Sequence, residues 1–256
     1  MKKLVLILIL FSSINVYWSQ GWVDIGVKGG WGPTFLFNQK VFDDSRYNHE
    51  FTARGTFGGK IGLNFNMNHE VTFDFMVGGM NQNFGYSMML DSSASANSYT
   101  SSINYQSFDF LLMYRNNSEG KYFEVGPILS SVRSVERGDS FFLSGNDAGF
   151  GMDDINKLQY GVSLGFGAYF MGTDNFGITG GLRISYMMSD LINNANATGE
   201  GYPFGQHYVT YSSLSGSAAP TSSASHPLLI QLVFEANLDF AYLAKANCGR
   251  RKLLMF

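Results

Sequence analysis

Charge is scarce in this chain: only 14% of its 256 residues are Asp, Glu, Lys or Arg, against about 25% in an ordinary soluble domain. Cysteine is nearly absent. Cys248 stands alone, so no intrachain disulfide can form, and it lies far from the N-terminus, where a lipid-modified cysteine would have to be. There are only 5 Pro, and no basic cluster except Arg250-Arg251-Lys252, which argues against nucleic acid as a partner. No apolar run after residue 19 is long enough for a spanning helix, which needs about 20 residues. A chain without such runs can still cross a bilayer as a closed β-barrel, the other fold that pairs every backbone polar group internally.

What is abundant fits that route, with aromatics at 16% and 30 Gly. The chain opens with Lys2-Lys3, an apolar run Leu4 to Phe11 and a polar stretch ending Trp18-Ser19-Gln20. These are the charged, hydrophobic and cleavage regions of a secretory signal, with the cut expected after Ser19; an N-terminal anchor is the rival reading, and the run is short for one. Residues 1–19 hold two Lys and no acid, so the mature chain carries 15 basic and 20 acidic side chains and is mildly acidic.

The decisive pattern is period two. Leu228, Ile230, Leu232, Phe234, Ala236, Leu238, Phe240 and Tyr242 alternate with polar residues that include Gln231, Glu235, Asn237 and Asp239. Leu158 to Phe170 and Phe176 to Tyr186 repeat it, and a helix would instead place apolar residues three and four apart. Five further strands are expected near 21–31, 56–67, 70–83, 102–115 and 121–133, the last with Pro127 at a bulge because proline cannot donate to the ladder. The expectation is an all-β, eight-stranded antiparallel up-and-down transmembrane β-barrel over residues 20–247, with a periplasmic tail at 248–256.

Loop length gives an independent check. The turns Asn68-His69, Asn116 to Gly120 and Gly172 to Asn175 are short, whereas the links near 32–55, 84–101, 134–156 and 188–226 are long. Outer-membrane barrels have short periplasmic turns and long external loops, so both mature termini are expected in the periplasm. Phe65, Phe73, Tyr114, Tyr122 or Phe123, Phe170, Phe176, Phe240 and Tyr242 flank the short turns as an interfacial girdle would. Alternation alone also fits a soluble barrel or sandwich with its apolar set facing inward.

The stretch Phe108 to Arg115, a turn, and then Lys121 to Leu129 with Gly126-Pro127 resembles the outer-membrane β-barrel family of Bacteroidota that includes PorT-like proteins, among small OmpX-like barrels. The opening Gly26 to Gly30 is similar too. The resemblance implies an architecture and a range of roles, type IX secretion accessories among them. Barrels of this kind usually end on the aromatic of the last strand, whereas this chain continues past Tyr242 to Phe256.

Parity sends Asp24, Lys28, Lys60, Asp74, Asp109, Glu124, Arg183, Glu235 and Asp239 into the lumen. An eight-stranded barrel has room inside only for side chains, so a structural network of paired charges is expected rather than an open pore. His49, His69, His207 and His226 show no His-x-Ser arrangement and no metal-ligand spacing. The reading is therefore a protein without catalytic site, cofactor or metal. Its expected partners are outer-membrane lipid and other envelope proteins, met through the Ser- and Tyr-bearing 188–226 link or the tail. A stand-alone surface barrel for adhesion or protection, and more distantly a lipid A-modifying enzyme, are the alternatives.

Overall fold

Period-two segments become strands in the computed structural model, which describes residues 21–38, 42, 47–65, 68–88, 97–139, 151–153, 155–173, 175–193 and 224–240. The signal segment 1–19, the tail 248–256, Tyr242, His207 and most of the 188–226 link lie outside the described residues. The strands are β1 (Trp22–Phe37), β2 (Tyr47–Glu50), β3 (Thr52–Asn64), β4 (His69–Met88), β5 (Asn97–Ser118), β6 (Lys121–Asp139), β7 (Leu158–Gly172), β8 (Phe176–Met187) and β9 (His226–Phe240). Eight of them, all but β2, close a fully antiparallel ring, with β1 pairing both β3 and β9. Following partners from Val23 through Leu63, Val71, Tyr114, Val125, Leu164 and Ile184 leads to Ile230, which faces Pro33 between two paired residues of β1. One circuit thus advances ten residues along β1. Such a stagger tilts the strands by roughly 35–45° and leaves an interior that side chains fill.

Several expected boundaries move. The link after β1 contains β2, which pairs with the outer part of β4 and continues the line of β3 across the exposed Phe51. His69, expected in a turn, already pairs with Asn116, and β3 stops at Asn64. The five-residue turn expected at Asn116 to Gly120 shrinks to Glu119-Gly120, because Asn116, Asn117 and Ser118 all pair with β6. Glu119 at φ 50° and Gly120 at φ 76° are both left-handed, as the tight hairpin turns that match strand twist require.

Pro127 is not at a bulge. The β5–β6 ladder keeps its register across it, and the extra residue is Arg133, skipped between the pairs Gln106–Ser134 and Ser107–Val132. A second bulge falls at Phe170, leaving Phe170 and Met171 both exposed. β4, β5 and β6 run for 20, 22 and 19 residues. A spanning strand needs about 9–11, so each extends well beyond the bilayer on the side of the long links.

Candidate functional site

Which face of the sheet is apolar decides between a soluble and a membrane barrel. On the outside Phe57 is 67% exposed, Tyr160 59% and Phe234 60%, whereas inside Lys60 is 3% and Asp74 0% exposed. The apolar set points out all round, through Ile61, Phe75, Leu112, Leu164 and Leu232. A soluble barrel has the opposite polarity, and no water-soluble monomer leaves a continuous apolar belt uncovered. At the end of the short turns the belt is edged by Tyr114, Phe123, Phe170 and Phe240. The girdle residue at the start of β6 is Phe123, since Tyr122 turns inward beneath the Arg115 guanidinium, 4.4 Å from its ring centroid. His69 and Tyr114 meet at this rim, with the phenol oxygen 2.6 Å from Nδ1.

Inside, the barrel is layered. The half nearer the short turns holds nine buried charges, Asp24, Lys28, Lys60, Glu70, Asp74, Arg115, Glu124, Arg183 and Glu235. Glu235 is the hub: Arg115 grips both its oxygens, at 2.9 and 2.8 Å, while Lys60 lies at 2.8 Å and Lys28 at 3.0 Å. Arg115 also donates to Glu124 Oε2 at 2.8 Å, and Arg183 reaches Glu124 Oε1 and, at 3.0 Å, Asp74 Oδ2. Lys28 pairs with Asp74, and Lys60 pairs with Glu70 at 2.6 Å and Asp24 at 3.2 Å. Asn64 donates to the other oxygen of Asp24 at 2.6 Å. Five carboxylates thus share four cations, and two planar guanidiniums supply most of the hydrogen bonds that make so many buried charges tolerable.

Of the nine expected lumen residues, the structure brings seven into this network: Asp24, Lys28, Lys60, Asp74, Glu124, Arg183 and Glu235. Asp109 is buried but apart. The Ser130 hydroxyl donates to it, and among the described residues no cation lies within ion-pair distance. Asp239 is half-buried at the end of β9 opposite Asp24, where its backbone N–H donates to the Asn175 carbonyl. Two members were missed, Glu70 and Arg115. Both have inward parity, and they stand at the first and last positions of their expected strands, each next to a short turn.

Above the charges, Asp109, Arg183, Gln231 and Thr56 border a cavity of about 10 Å³, room for the centre of about one water. Further toward the long links an apolar cluster fills the barrel among the described residues. Leu36, Met80, Phe84, Ile103, Tyr105 and Val132 come from the strands, and Ile155, Leu191 and Ile192 fold in from the links. Backbone bonds hold those links down: Ile155 bridges Ile192, Asn156 N–H reaches Leu191 O at 2.9 Å, and Leu191 N–H reaches Ser225 O at 2.8 Å.

The described histidines take part in packing. His49 of β2 stacks on Phe42 with centroids 4.1 Å apart and meets Phe84 edge-on at 4.9 Å. His226 stands 3.3 Å from the Ser189 carbonyl oxygen. Burial lowers the His49 pKa below its ordinary value.

A closed antiparallel ring, apolar outside and charged within, defines a membrane-spanning β-barrel of eight strands. Among solved structures it is similar to Ail, the attachment invasion locus protein of Yersinia pestis, at 11% identity, over 86% of this chain and 99% of that one, with a TM-score of 0.39. It is also similar to Neisserial surface protein A, at 10% identity over 86% and 97% of the two chains with a TM-score of 0.39. The outer membrane protein OprG from Pseudomonas aeruginosa matches at 10% identity over 86% and 96%, with a TM-score of 0.38. No family model matches the chain, and no curated protein sequence matches it.

Proposed function

We propose that this is a non-catalytic outer-membrane barrel, an accessory or structural component of an envelope complex that acts through its extracellular segments or its periplasmic tail. The carrying observation is the filled interior. Ion pairs occupy one half of the lumen and apolar side chains the other, which speaks against an open transport path through the described barrel. The long extensions of β4, β5 and β6 are the built surface that remains. A PorT-like affinity is supported by the strand-turn-strand motif, whose Arg115 and Glu124 meet across the tight turn.

The test is crosslinking in native membranes followed by purification in mild detergent. A specific higher-mass species containing a second envelope protein is expected. Free monomer alone, with altered surface attachment after deletion within residues 194–223, would favour the stand-alone surface barrel instead. Lipid A mass profiles are expected to be the same with and without the gene; a changed acylation pattern would revive the enzyme reading.

A further inference from the structure

A cation stands on the outer wall of the barrel where the strand pattern breaks. Arg133 is the unpaired residue of the β6 bulge, and bulges re-aim a side chain that regular pairing would have constrained. It is exposed, and its guanidinium lies 4.6 Å from the ring centroid of Phe108, so its stem runs along the barrel's apolar surface. Ser131, two residues before it, pairs with Phe108 on one side and with Leu158 on the other. Arg133 therefore sits just beyond the outermost row of the apolar belt. A charge there is tolerated, whereas at mid-bilayer it would be strongly disfavoured.

A second cation is adjacent. Val132 N–H donates to Lys157 O at 2.8 Å, which brings Lys157 alongside the bulge. The Lys157 ammonium meets Asp153 at 3.1 Å, but both side chains are largely exposed and such pairs are weak. Among the described residues Arg133 has no carboxylate within ion-pair distance. Glu136, the next exposed acid of β6, lies three residues further out.

We propose that Arg133, with Lys157 beside it, binds the phosphate of an outer-leaflet glycolipid whose acyl chains lie along Phe108, Leu129, Leu158 and Tyr160. A guanidinium offers the planar fork that a phosphate accepts, and held against a ring it loses little freedom on binding. The apolar residues directly below fit a lipid rather than a free anion. This inference rests on the outer-membrane reading.

The experiment is native mass spectrometry of the detergent-refolded full barrel with diphosphorylated lipid A, with the same lipid dephosphorylated, and with inorganic phosphate as competitor. Wild type is expected to hold the phosphorylated lipid about tenfold more tightly than the dephosphorylated one, as one charge-assisted contact would give. Arg133→Gln removes most of that preference, Lys157→Gln a smaller part, and Arg133→Lys retains some of it. Equal retention of both lipids by wild type, an unchanged preference in Arg133→Gln, or displacement by millimolar phosphate would overturn the proposal. Heat-modifiable migration of each variant shows that the barrel is folded. A wild-type chain that forms no barrel in any lipid defeats the membrane reading itself, whereas a folded barrel without phosphate preference defeats only this site.

Discussion

Arg115 is the residue on which the interior depends most. It is fully buried and contacts Glu70, Glu124, Glu235 and the face of Tyr122. A buried ion pair adds little over an apolar filling of the same shape, but removing one partner strands the others. Arg115→Ala is therefore expected to destabilise the barrel by about 3–5 kcal/mol, read as a lowered urea midpoint in detergent micelles. Arg115→Lys keeps the charge and loses the fork, and falls between. A loss under about 1 kcal/mol for the alanine variant would mean that the network does not hold as described.

His49 gives a pH effect outside the membrane. Its folded pKa is depressed by burial between Phe42 and Phe84, so the unfolded segment binds the proton more readily. The contact is at full strength above the unfolded value of about 6.5 and weakens as the pH falls through and below it. Amide exchange over Tyr47–Glu50, corrected for intrinsic rate, is expected to be faster at pH 5 than at pH 7.5. His49→Phe should abolish the difference, and equal protection at both pH values would refute the effect.

At the scale of elements, alternation was strong enough to locate all eight ring strands, because a half-buried sheet admits no other spacing. Strand ends were less legible. Asn116, Asn117 and Ser118 have turn propensity, yet they pair with β6 because a two-residue turn suffices. Arg115 ends its expected strand with inward parity, and the pairing of Asn116 to Ser118 beyond it sets it within the ladder, opposite Glu124. Glu119 occupies a left-handed position with an ordinary side chain, a conformation that asparagine and glycine adopt more cheaply. Glu119→Asn is expected to raise stability by about 0.5–1 kcal/mol and Gly120→Ala to lower it by about 1 kcal/mol, measured by the same unfolding titration. The opposite order would show that the turn is not of the primed type.

Across the whole molecule the apolar cluster and the ion pairs predict electrical silence. In planar bilayers the refolded protein is expected to show no discrete conductance steps, and stable steps would mean that the lumen opens. Topology is tested separately in a Cys248→Ser background. A membrane-impermeant maleimide should label Ser93→Cys in intact cells, and Glu119→Cys only after the outer membrane is permeabilised, as short periplasmic turns require. The reverse pattern would invert the barrel.

The sequence by itself determined the strand count, the two faces and the ring of aromatics, since period two, turn composition and link length are local properties of a chain. It also assigned seven of the network's nine charges to one face. Alternation alone did not determine which face was inside, because it serves a soluble barrel equally; link lengths and the aromatic girdle pointed to the charged face, and ring closure with Phe57, Tyr160 and Phe234 outward decided it. Nor did it determine partners. Glu235 lies 120 residues from Arg115 and 175 from Lys60, and only the stagger of the closed sheet brings them within 3 Å. The same closure left Asp109 outside the network and put Arg133 on the wall, because a bulge is a mismatch between two strands and is written in neither alone.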